Sequence, residues 1–129
     1  MADQAAYWRG LKQQAVNGEF RLEEGLGEAL RAACEQYVYD LDDLKRQTGQ
    51  LEHLSGWGGL DSAKLLRAKF EAKAVSGSAE DTTDSAAGRL AQHIEIAQLM
   101  RDTFAAAIGK LQAVDGQNAG EIAANGEGI

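Results

Sequence analysis

The chain has no proline, so it lacks the residue that most readily breaks a helix by removing a backbone donor and clashing with the preceding turn. Long uninterrupted helices are therefore open to all 129 residues. Cysteine is nearly absent as well. The single Cys34 excludes an internal disulfide and fits folding in a reducing compartment. Its apolar helical surroundings predict a packed core thiol rather than a reactive one. Basic residues are in the minority, 13 Lys and Arg against 20 Asp and Glu, for a formal net charge of -7. This argues against nucleic acid or an anionic membrane as partner, because both draw their affinity from a basic patch. No apolar run approaches the ~20 residues of a membrane-spanning helix. The first residues lack the basic and apolar regions of a cleavable signal peptide, so synthesis in the cytoplasm without a signal peptide is expected.

What is present is helical periodicity. Residues 2–16 read as a short amphipathic helix with Trp8, Leu11 and Ala15 on one stripe, broken by Asn17-Gly18. A long helix is predicted over 23–54, with Leu26, Leu30, Ala33, Tyr37, Leu41, Leu44, Thr48 and Leu51 spaced at fours and threes, and Gly56 just past its end. Glu23, Glu24 and Glu28 suit its positive end. A third helix is expected over 61–75, capped by Asp61, with Leu60 and Leu65 as a hydrophobic staple and Ala63, Leu66, Phe70 and Ala74 on one face. After Ser76-Gly77-Ser78 a last helix is expected over 83–114, striped by Leu90, Ile94, Ala97, Phe104, Ile108 and Leu111 and ended by Asp115-Gly116. No segment alternates as a strand does. The predicted fold is all-α, an elongated antiparallel hairpin or bundle. Residues 1–115 would form one domain, and 116–129 a flexible C-terminal tail with few apolar anchors.

Between the second and third predicted helices lies Ser55-Gly56-Trp57-Gly58-Gly59-Leu60. Glycine supplies the left-handed backbone that reverses a chain, and the lone indole needs apolar cover, expected at the closed end of the hairpin. The reversal would set 40–54 beside 61–75 and the start of the long helix beside the start of the last. The N-terminal helix would cover the end of the last one. Val38, Ile96, Leu99 and Met100 lie off the main stripes and are candidates for a second apolar face, to be covered by that helix or by another hairpin.

The residues that could carry chemistry do not assemble into a recognisable site. His53 and His93 lack metal-ligand spacing, and the Glu-x-x-His pattern of helical di-iron sites is absent. Asp40, Asp42 and Asp43, followed by Lys45 and Arg46, read as a solvated helix face. Gly56, Gly58 and Gly59 do not precede the Lys-Ser/Thr of a phosphate loop. Catalytic, cofactor-binding and metal-ligating residues are each expected to be none, and an enzyme is the least favoured class.

Helix, Trp57-Gly58-Gly59 turn, helix resembles the WXG family of small helical-hairpin proteins of type VII (ESX) secretion systems in actinobacteria and related bacteria. The resemblance covers roughly 22–114 and is shared by the acidic, proline-free composition. Trp8-Arg9-Gly10 also matches Trp-x-Gly but falls inside a predicted helix. The resemblance implies a non-enzymatic substrate, co-substrate or chaperone-like partner, exported folded without a signal peptide. It would pair as a homodimer or as a heterodimer with a paralogous or effector helical chain. The Trp57 turn would close the hairpin, and Leu30, Tyr37, Leu44, Ile94, Phe104 and Leu111 would form the packing seam. The family's Tyr-x-x-x-Asp/Glu export signal is missing from the tail; the one match, Tyr39 to Asp43, lies within the long helix. The alternative expectation is a cytosolic adaptor, immunity-type or regulatory helical protein with no secretion role.

Overall fold

The computed structural model describes residues 2–78 and 80–110. It is all-α: helices α1 (Ala2–Val16), α2 (Glu24–Gln47), α3 (Asp61–Glu71) and α4 (Ala86–Ala107), with a 3-10 turn over Thr48–Leu51 and a π-helical turn over Ala72–Ser76. No strand occurs among the described residues. Residues 61 to 107 are thus two helices separated by a loop rather than one bent helix. Leu111 and the predicted tail lie outside the described residues.

The helix boundaries follow from local chemistry. At the start of α2, Glu23 accepts hydrogen bonds from the amides of Gly25 and Leu26, both at 2.8 Å. These are two of the amides a helix start leaves without intrahelical partners. They also hold the Glu23 carboxyl below its ordinary range, the Gly25 amide contributing most. The helix ends at Gln47 rather than near 54. There the Thr48 hydroxyl donates to the Lys45 carbonyl at 2.6 Å, a local bond that competes with helix continuation, and Gly49 follows. Gly56 is therefore not the residue that ends α2. Asp61 is the first residue of α3 rather than its cap; Leu60 holds the cap position without a side-chain bond. Ser85 begins α4, its Oγ accepting from the Gly88 amide and donating to the Val75 carbonyl, both at 2.9 Å. Helix α4 is interrupted after Ala107, where Gly109 turns left-handed with φ +84°; the predicted end at 114 lies outside the described residues.

Two compact units can be distinguished. One comprises residues up to Tyr37 together with those from Ile96 onward. Here Ala15 of α1 packs with Ala105, Ala106 and Ala107, flanked by Val16, Phe20 and Leu22. Small side chains let the two helices approach closely. Trp8 meets Phe104 edge-on at 5.9 Å, and Thr103 is fully buried, its hydroxyl donating to the Leu99 carbonyl at 2.7 Å. The N-terminal helix therefore covers the end of α4, as the sequence predicts. The start of α2 also lies at the end of α4, not at its start. The Leu22 amide donates to the Ala107 carbonyl at 3.1 Å, and Lys110 Nζ is 3.2 Å from Glu28 Oε2.

The second unit is Val38–Glu95. Its buried residues are Val38, Leu41, Thr48, Ala74, Ser85 and Ala87. The 3-10 turn packs against the π turn. The loop into α4 is held by Asp81, which accepts from the Thr83 amide at 2.9 Å and from its hydroxyl at 2.5 Å. These bonds, the hydroxyl first, hold its carboxyl low.

Candidate protein-interaction surface

The segment around Trp57 is an irregular stretch lying along α3, not a tight reversal. Its ring stacks at a tilt on Phe70, centroids 5.7 Å apart and planes at 34°. The Leu54 amide donates to Glu71 Oε2 at 2.6 Å. With the 3-10 turn against the π turn, the contacts that follow the reversal join 48–54 to 71–76. Gly56 (φ +84°) and Gly58 (φ +77°) take the left-handed backbone that glycine tolerates. Gly59 does not, and a β-carbon there would meet nothing. Of the predicted turn residues Trp57, Gly58 and Gly59, only Gly58 takes the left-handed conformation; Gly56, expected just past the end of the long helix, takes it as well.

The predicted seam residues divide between the units. Leu30, Tyr37 and Phe104 belong to the first unit, Leu44 and Ile94 to the second, and Leu111 lies outside the described residues. Leu30, Ile94 and Phe104 are half-buried, whereas Tyr37 and Leu44 are 46% and 48% exposed. The residues of α2 that the chain itself buries are Gly27, Cys34, Val38 and Leu41, followed by Thr48. Over its first half that stripe is rotated by one residue from the predicted one. Gly27 lies close to Ile108: a β-carbon there would fall 2.1 Å from Ile108 Cγ2, so a larger residue would require the Ile108 side chain to shift. The larger Leu26 and Tyr37 are turned outward. Of the off-stripe candidates, Val38 is buried and Ile96, Leu99 and Met100 are half-buried.

In the second unit, Leu44 and Leu51 face Leu90 of α4 across a cleft of about 340 Å³, completed by Gln47, Thr48 and Gln50. Close to it in sequence, α3 has no buried residue at all. Leu65 is 67% and Leu60 73% exposed, and Leu66 and Phe70 are exposed as well, so the expected staple is not buried. An 11-residue helix with apolar residues on several sides cannot bury them all against one neighbour. That spread was the sequence signal for this patch. The cations Lys64, Arg67, Lys69 and Lys73 outnumber Asp61 and Glu71 on this stretch, although the chain as a whole is acidic.

Elsewhere, polar groups of α2 pair with one another. Arg31 binds both oxygens of Glu28 at 2.8 and 2.9 Å and Glu35 at 2.8 Å. The Arg31 guanidinium, aided by Lys110, pulls the Glu28 carboxyl down to about 2. Cys34 is buried, and burial pushes its thiol up, away from the thiolate a nucleophile needs, against a smaller opposing effect of Arg101. His53 and His93 are exposed. Among the described residues no three His, Cys, Asp or Glu side chains cluster as metal ligands. No helix among them is long and apolar enough to cross a membrane. Comparison with protein-family models, with curated proteins and with solved structures finds no match.

Proposed function

We propose that this chain is a non-enzymatic helical protein associated with type VII secretion, acting as substrate, co-substrate or chaperone-like partner through helix–helix packing. The observation that carries the packing role is the apolar side of the second unit. A helix that buries none of its own residues and exposes Leu65, Leu66 and Phe70 is stabilised by covering that surface with another protein surface. The secretion role rests on the resemblance carried by Trp57-Gly58-Gly59 between helical segments. The partner is a second copy or a paralogous or effector helical chain. Comparing culture filtrate with cell lysate in a secretion-competent host tests the role: recovery in the filtrate, abolished when the secretion machinery is deleted, is the expected result. Strict retention in the lysate overturns it.

The second reading, a cytosolic adaptor, immunity-type or regulatory protein, is favoured by one observation. Helix α1 already covers the end of α4 through Trp8, Phe104 and the alanine cluster, leaving that unit less in need of a partner.

A further inference from the structure

A single carboxylate at the end of α3 stands between two groups that can use it. Glu71 Oε2 accepts from the Leu54 amide at 2.6 Å, while Oε1 lies 3.7 Å from Arg67 Nε, outside hydrogen-bond distance. Arg67 is one turn before Glu71, the spacing at which such pairs close on a helix. The pair of the same spacing on α2, Arg31 with Glu35, closes to 2.8 Å. On α3 it stays open, and Arg67 Nε is buried with no hydrogen-bond partner among the described residues. A buried donor without an acceptor costs stability, so the bond to Leu54 is made at the expense of Arg67. That bond and the Trp57 ring on Phe70 dock residues 52–60 onto α3. The segment has no regular secondary structure, and Glu52, His53, Ser55 and Leu60 are exposed. A β-carbon built on Gly56, Gly58 or Gly59 would meet nothing. Segments held by so few contacts open locally, well below the free energy of global unfolding.

From this we infer that residues 52–60 are a releasable strap, latched to α3 through Glu71. Docked, the Leu54 amide holds the carboxylate and the indole of Trp57 lies against Phe70. Released, Glu71 turns to Arg67 Nε and satisfies the unpaired donor, and the Trp57 and Phe70 rings separate. Competition for one carboxylate keeps the two arrangements close in free energy. A partner that takes up Phe70 then shifts the balance toward release, because it binds only the released form. That last step rests on the helix-packing part of the proposed function; the latch itself belongs to the chain alone.

Nitrogen-15 NMR of the full chain tests the latch through the Leu54 amide and the Trp57 indole N–H, with the Trp8 indole of the first unit as reference. Arg67→Met removes the competitor for Glu71. Exchange of the Leu54 amide with deuterium should then slow at least about fivefold, the scale set by an unpaired buried donor. Phe70→Ala removes the ring on which Trp57 rests, and should speed the same exchange by a similar factor. Thermal unfolding by circular dichroism should stay close to the parent's in both, since α3 contributes no buried residue. The signs separate a latch from a brace: if Arg67 only supported α3, its loss would speed exchange at Leu54. Exchange that is unchanged or faster in Arg67→Met overturns the inference. So does a Trp8 indole that shifts as much as that of Trp57, since the whole fold would then have loosened. Neither result depends on whether the chain reaches the culture filtrate, so failure of the latch and failure of the secretion role are read separately.

Discussion

Gly88 lies hard against the backbone of Thr83: a β-carbon built on Gly88 falls 2.4 Å from the Thr83 carbonyl oxygen and 2.8 Å from its Cα. This approach lets the loop after α3 fold over the first turn of α4. Backbone cannot yield as a side-chain tip can. Gly88→Ala should therefore destabilise by roughly 1–3 kcal/mol, as overpacking does, outweighing the helix preference of alanine. Gly10, in the Trp8-Arg9-Gly10 match, has open space around it inside α1. Gly10→Ala should stabilise by about 0.5–1 kcal/mol. Urea unfolding of the two variants checks both signs.

In the Trp57 segment the glycines are not equivalent. Gly56→Ala and Gly58→Ala force a β-carbon into left-handed backbone, and each should cost about 1–2 kcal/mol. Gly59→Ala should stay within about 0.5 kcal/mol of the parent. Equal losses at Gly58 and Gly59, measured by thermal melting, would contradict this assignment.

Along α2, Leu41 is buried and Leu44 half-exposed. Leu41→Ala should cost about 2–5 kcal/mol, the range for a buried leucine. Leu44→Ala should change the stability of the single chain by only about 0.5 kcal/mol. Denaturation at low protein concentration separates the two. Leu44 belongs to a surface other than the chain's own core.

Acid should weaken the fold through Glu28, Glu23 and Asp81, whose carboxyls all lie below their ordinary values. A depressed carboxyl contributes stability that is present above the unfolded value and lost as pH falls through the folded one. For Glu28 that window runs from 4.5 down to about 2. The stability gap between the parent and Glu28→Gln should be full at pH 7 and close across this window. Because Glu28 is at the surface, 1 M salt should shrink the gap at pH 7. A gap that persists unchanged below pH 2 would show that Arg31 and Lys110 do not stabilise the fold through the ionised Glu28.

Local order was legible in the residues alone. Absent proline, apolar spacing at fours and threes, Asn17-Gly18 after α1 and the break after Ser76 determine that the chain is helical and nearly where each helix lies. These are properties of a few neighbouring residues, and 3.6-residue periodicity records them directly. The Trp57-Gly58-Gly59 segment was visible as a break between helices rather than in its actual course, and Gly58 does take a left-handed conformation. Some boundaries moved because a single side chain decided them: the Thr48 hydroxyl on the Lys45 carbonyl, the Ser85 hydroxyl on the Gly88 amide.

The candidate surface was less legible. An amphipathic pattern states that a helix has an apolar side, not which apolar residues meet a neighbour in the same chain. On α2, Leu26, Tyr37 and Leu44 matched the periodicity as well as any core residue. Tertiary packing instead turned Gly27, Cys34 and Val38 inward, since small side chains allow the closest approach. It laid the Trp57 segment along α3, and it left Leu65, Leu66 and Phe70 uncovered. The sequence by itself thus determined the helices, through short-range backbone preference. Only the tertiary structure decided which apolar faces the chain buries, because that depends on contacts between residues far apart in sequence.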